Sequence, residues 1–154
     1  MFMSILVLAV SAALFFFYVQ TVCEKALRRE FIYPYFKQVL QSLQLEYPQL
    51  RESAASNGPL NYSSILLALK CDFFTLKYLL KNSDPGRRPL AGSQKLLILY
   101  FQALLFVMPL RHAFRINEKK AVLKLSAILQ YFANSLGEKL SAGTYAAAQS
   151  SIQS

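Results

Sequence analysis

The side chains able to do chemistry in this chain are few and lie apart. The single histidine, His112, sits close to Arg111 and Arg115 at the end of an apolar run. A zinc site draws three or four ligands from His, Cys and carboxylates, and haem needs axial ligands in a shaped pocket. One histidine and two distant cysteines, Cys23 and Cys71, cannot assemble such a set from this chain alone. No metal and no cofactor is therefore expected. His112 reads as an interfacial polar residue; the sharper alternative is one axial ligand to a pigment or haem shared with another subunit.

Among the eight carboxylates, Asp72 stands out because it lies inside a hydrophobic helix beside Cys71. An ionisable residue at membrane depth marks a functional acid. Lys70 and the polar margin of that helix point instead to a solvated or salt-bridged Asp. Glu24 precedes Arg28 by four residues and Glu30 adjoins Arg29, so both read as surface charges among basic neighbours. There is no G-x-G-x-x-G and no G-x-x-x-x-G-K to cradle a phosphate. Cys23 reads as an inert small hydrophobe, with an intermolecular disulfide or lipid modification as the alternative. No catalytic residue is expected, and the chain does not read as an enzyme.

Composition narrows the class. The chain is 55% apolar and 16% charged, with a mean hydropathy of +0.30. Soluble domains carry about a quarter charged residues, so a water-soluble core alone does not explain this sequence. Five Gly and six Pro disfavour a many-turned sandwich or barrel. Seventeen Lys and Arg against eight Asp and Glu leave a net charge of +9. Such a balance suits nucleic acid or an anionic membrane face. The basic residues are scattered and not interleaved with aromatics, which favours the membrane surface and anionic lipid over nucleic acid. Two cysteines make no disulfide framework, and a reduced, cytoplasm-facing body follows.

The elements that must position these residues begin with a transmembrane helix. Residues 2–23 carry no charged side chain. Phe2–Val22 is 21 residues, roughly 31 Å of helix, matching a hydrocarbon core of about 30 Å. Phe15, Phe16, Phe17 and Tyr18 lie near an interfacial belt, and Glu24, Lys25, Arg28 and Arg29 end the span. Met1-Phe2-Met3-Ser4 has no basic side chain and Val19-Gln20-Thr21-Val22 offers no A-x-A site, so an uncleaved anchor is expected over a signal peptide. The flanking charges predict an outside N-terminus and a cytoplasmic body.

About four helices are expected behind the anchor, an all-α membrane-associated domain over 24–136. Pro34 should kink or end the first helix. Phe36, Val39, Leu40 and Leu43 recur at helical spacing, and Tyr47-Pro48 is expected to close that helix. Ser53–Pro59 reads as a polar loop, with Asn61 or Ser63 as the next cap. Ser64–Lys81 is apolar around most of its circumference, with a narrow stripe of Lys70, Lys77 and Lys81. Asn82–Ser93 has helix-stop chemistry in Asp84-Pro85-Gly86 and Arg87-Arg88-Pro89. Leu96–Leu110 is expected to be a buried, interfacial or re-entrant helix, with a second span as the alternative. From Asn117-Glu118 a last helix carries Val122, Leu125, Leu129, Phe132 and Leu136 as an a/d seam. Gly137 is its expected stop, and 137–154 is expected to be a flexible tail.

The order of features resembles a broad group of short bacterial membrane proteins similar to universal stress protein B. The residues that carry the resemblance are Tyr47-Pro48-Gln49-Leu50, Gly58, Asn61, Leu66-Leu67 and Asp84-Pro85, followed by Leu96–Leu110. It covers residues 1–110, and the chain continues for 44 residues beyond the point where such proteins tend to end. The resemblance implies a bacterial inner-membrane location, no known reaction, and a stronger case for Leu96–Leu110 as a second span.

These readings lead to an expected non-enzymatic accessory subunit of a larger bacterial inner-membrane complex, with a respiratory or photosynthetic assembly as host. Its expected partners are integral membrane protein subunits and anionic lipids, and no nucleic acid. Lys25, Arg28, Arg29 and Lys37 would lie on the membrane surface, each worth about 1 kcal/mol near an anionic leaflet. Phe73, Phe74, Leu99, Phe106, Val122, Leu125, Leu129 and Phe132 would pack against partners. The alternative is an independent stress-response membrane protein acting at the anionic lipid surface.

Overall fold

The computed structural model describes residues 1–31, 33–56, 61–83, 90–114 and 118–152, with 146, 150 and 152 as backbone alone. The described residues form six helices and no strand: α1 (Phe2–Leu27), α2 (Phe36–Leu43), α3 (Tyr47–Ala55), α4 (Tyr62–Asn82), α5 (Gly92–Ala113) and α6 (Glu118–Ile152). Two of them, α1 and α5, are long and apolar enough to cross a membrane. The turn residues 84–89, Pro59, Gly58, Arg115 and Asn117 lie outside the described residues.

Five helices follow α1, one more than the sequence pattern suggests, because Tyr47-Pro48 opens a helix and does not close one. Pro48 occupies the first turn of α3, where its missing N–H has no helical partner to lose and its fixed φ suits the start. Ser53 and Ala54 are consequently helical and not part of a loop. The break between α2 and α3 is made by Gln44, at φ 51° and ψ 46°, a left-handed residue that caps α2 much as Gly or Asn would.

The core is organised around α6. Val122, Leu125, Leu129, Phe132 and Leu136 are buried, but so are Ala121, Ile128, Tyr131, Ala133, Asn134 and Ser135. A helix buried around its whole circumference is a central helix, not one half of a seam. It touches every other helix. Phe73 of α4 stacks on Phe101 of α5, with ring centroids 4.2 Å apart, and lies 6.3 Å from the Phe132 ring of α6. These three rings join the three longest helices of the body at its centre.

Gly137 does not stop α6, which runs on to Ile152. The glycine is there for close approach: a Cβ built on it collides with the Cβ of Tyr35. That collision involves the root of the tyrosine side chain, which cannot swing away without moving backbone. Gly137→Ala is expected to destabilise the fold by about 1–2 kcal/mol despite alanine's better helix propensity. Gly143→Ala is expected to raise stability by up to about 1 kcal/mol, because no atom lies within 4 Å of that position. Chemical denaturation of the two variants in detergent micelles would check the opposite signs.

Contacts along α6 set the sense of each neighbour. Glu24 meets Lys124 at 3.3 Å, Phe31 packs on Tyr131, and Arg29 reaches Glu138 at 3.3 Å. Only Glu24 of these lies in α1 itself; from there to Arg29, just past its end, the chain advances in the same sense as α6. His112 at the end of α5 meets Glu118 at the start of α6 at 3.0 Å, so α5 runs the opposite way. Tyr62 at the start of α4 stacks on His112, which makes α4 antiparallel to α5. Lys119 donates to the Ser56 carbonyl while Arg51 donates to Gln130, so α3 also runs against α6. One end of the body thus gathers the start of α4, the end of α5 and the start of α6.

Candidate functional site

Two polar side chains deep in the body hold the two short helices. Neither α2 nor α3 has a side-chain cap of its own. Asp72 of α4 accepts hydrogen bonds through Oδ2 from the backbone N–H groups of Glu46, at 2.9 Å, and Tyr47, at 2.7 Å. Asn134 of α6 accepts from the Phe36 N–H through Oδ1 at 2.8 Å. Each satisfies donors that a helix start leaves without partners, and a carboxylate there also meets the positive end of the helix dipole.

Asp72 is accordingly neither solvated nor paired with Lys70. It is 6% exposed, whereas Lys70 points to the surface. Burial pushes its carboxyl above the usual carboxylate range, and the two backbone N–H groups only partly offset that effect. Asp72 is a cap supplied from a distant part of the chain.

His112 forms the other polar cluster, at the end of the body described above. Its ring lies flat on Tyr62, centroids 4.2 Å apart and planes 13° apart, and its Nδ1 lies 3.0 Å from Glu118 Oε1. The Tyr62 hydroxyl is buried with no hydrogen-bond partner among the described residues, and burial, then the Glu118 charge, raises its pKa. The cluster holds an imidazole and a carboxylate in contact, and among the described residues no hydroxyl or thiol is shown bonded to the imidazole. Among the described residues no three His, Cys, Asp or Glu side chains converge on a point that could hold a metal. Cys23 is buried and Cys71 exposed, both as free thiols.

The eight residues expected to pack against partners divide sharply. Phe73, Val122, Leu125, Leu129 and Phe132 lie in the chain's own core at 1% exposure or less. Phe74, Leu99 and Phe106 are 60%, 53% and 76% exposed. The exposed three belong to two stripes. On α4, Leu67, Phe74 and Tyr78 follow one another at steps of seven and four, and on α5 Leu99, Phe106 and Leu110 do the same. Eleven residues at about 100° per residue return to nearly the same azimuth, so each stripe is a straight apolar ridge of about 16 Å.

Of the basic residues expected at the membrane surface, Lys25, Arg28 and Lys37 are exposed. Arg29 is exposed too, but it is paired with Glu138 and stands 5.3 Å over the Phe31 ring. Glu138 is fourteen residues beyond Lys124 on α6, or about 21 Å. Lys25, Arg28 and Arg29 fall within five consecutive residues, and Lys37 follows on α2. The pair Glu24–Lys124 and the cap Asn134 had no signal in the sequence, since each depends on partners about 100 residues away. Comparison with known proteins found no matching family model, no matching characterised protein and no matching solved structure.

Proposed function

We propose that this chain is a non-enzymatic accessory subunit of a larger bacterial inner-membrane complex, anchored by α1 and docking to its partners through α4 and α5. The observation that carries the reading is the pair of apolar ridges left exposed once the core is complete. Exposed apolar surface arranged in continuous stripes marks an interaction site more often than scattered single residues do. The ridges bear large side chains of the kind that anchor interfaces, with Phe74, Tyr78 and Phe106 among them.

In this reading α1 spans the bilayer and α5 belongs to the body. The offset between the two helices supports that assignment. Cys23 and Glu24, at the C-terminal end of α1, lie close to Tyr100 in the middle of α5, so the helix midpoints are offset along their axes. The exposed ridge of α5 is then available to a partner and not to lipid tails on both sides.

Affinity capture from native membranes in mild detergent tests the proposal. The wild-type chain is expected to bring down a defined set of membrane proteins. Phe74→Ser with Phe106→Ser is expected to reduce that recovery at least tenfold, the loss of about 1.4 kcal/mol or more of binding. A monodisperse monomer by native mass measurement, with no protein bound, would overturn it.

A further inference from the structure

We propose that the end of the helical body carrying Arg111, Phe114 and Lys120 rests on the bilayer surface and binds anionic lipid headgroups. The inference rests on the reading of α1 as the membrane span, and it places the lipid contact away from Lys37 and Arg29.

The geometry comes from the shared sense of α1 and α6. Glu24 and Lys124 are joined at 3.3 Å. Tyr18 is six residues before Glu24, and Glu118 is six residues before Lys124. At about 1.5 Å per residue each lies about 9 Å back along its helix, so Tyr18 is level with the start of α6. Burial gives the same boundary independently. Every residue from Phe2 to Tyr18 is exposed, and Val19 is the first to be covered, at 6%. The uncharged segment therefore leaves the body at the end where α5 stops and α6 starts.

That exit decides which surface meets the membrane. The exposed segment is 17 residues, about 26 Å, against a hydrocarbon core of about 30 Å. The remaining few ångströms must be met by the body itself. Phe114, 69% exposed at the end of α5, supplies apolar surface there, and interfacial helices bury such groups about 5–10 Å deep. Near it Arg111 and the exposed Lys120 supply positive charge. Glu118 is engaged with His112, and Lys119 with the Ser56 carbonyl. Arg29 is eleven residues beyond Tyr18, at most about 20 Å further from the headgroups, or about two Debye lengths.

The full chain, reconstituted in vesicles containing phosphatidylglycerol and headgroup spin-labelled lipid, provides the test. In a Cys71→Ser background a fluorophore is attached at Ala113→Cys or at Gln38→Cys, both exposed positions, while the buried Cys23 stays unlabelled. Quenching at 113 is expected to exceed quenching at 38 at least threefold. It is expected to fall at least twofold when phosphatidylglycerol is replaced by phosphatidylcholine or when Arg111→Gln and Lys120→Gln are combined. Equal quenching at the two sites, or stronger quenching at 38, would overturn the proposal while leaving α1 as an anchor. Indifference to lipid charge would overturn its electrostatic half, and extraction of the chain from the vesicles by alkaline carbonate would overturn the anchor reading beneath it.

Discussion

Phe73→Ala is expected to cost the helical body about 3–5 kcal/mol, while Phe74→Ala, one residue along, leaves stability within about 0.5 kcal/mol. Phe73 is 1% exposed and its ring stacks on Phe101 with planes 12° apart. Removing it takes away a stacked pair and opens a cavity at the point where α4, α5 and α6 meet. A helical body has little prospect of closing that space, because Phe101 and Phe132 are fixed on two different helices that pack elsewhere. Native domains are stable by only about 5–15 kcal/mol, so the variant loses a large share of its margin. The Phe74 ring centroid lies 5.8 Å from that of Phe73, with the planes tilted by 59°, but Phe74 is 60% exposed. Its loss is expected to appear in partner recovery and not in the denaturation midpoint. Urea titrations followed by circular dichroism, run beside the capture assay, separate the two effects. A Phe74→Ala protein as unstable as Phe73→Ala would contradict the burial pattern.

Asp72→Ala is the second large effect, expected at about 1–3 kcal/mol. It strands the N–H groups of Glu46 and Tyr47, the latter in a residue only 2% exposed. Asp72→Asn keeps an acceptor oxygen at the same place, and Asn caps helices about as well as Asp. It is therefore expected to restore most of the loss.

The pH dependence has a definite sign. Burial raises the folded-state pKa of Asp72 above its ordinary value, so the folded protein binds this proton more tightly than the unfolded chain, whose carboxyl titrates near 3.9. The contribution of Asp72 to stability is greatest below that value and declines as pH rises through the raised folded pKa. The stability difference between wild type and Asp72→Asn should therefore move against wild type as pH increases across the acid range. Denaturation midpoints of the pair at several pH values measure it directly. A difference that moves toward wild type would mean that the backbone donors outweigh desolvation.

How much of this was legible beforehand differs from residue to residue. The apolar N-terminal helix and its charged end follow from composition alone, because the 21 residues Phe2–Val22 carry no charged side chain and need no partner to be recognised. The helix starting at Glu118 followed from the spacing of Val122, Leu125, Leu129 and Phe132. Its end did not, because Gly137 has the chemistry of a stop and only the approach of Tyr35 explains a glycine inside the helix. Tyr47-Pro48 could either end one helix or begin another by the same dihedral preference. The left-handed Gln44 decided it.

The sequence by itself determined that the chain is helical and that its N-terminal run, Phe2–Val22, is apolar enough to cross a membrane. Those properties depend on local spacing and on side-chain type, which neighbours in sequence express directly. Only the tertiary structure decided which apolar faces are spent on the chain's own core. Phe73 and Phe74 are the same residue in nearly the same surroundings by sequence, and they part company because α6, some 50 residues on, covers one azimuth of α4 and not the other. For the same reason Asp72 and Asn134 became helix caps: their partners are set by where the long helices cross the short ones, a relation that no local pattern contains.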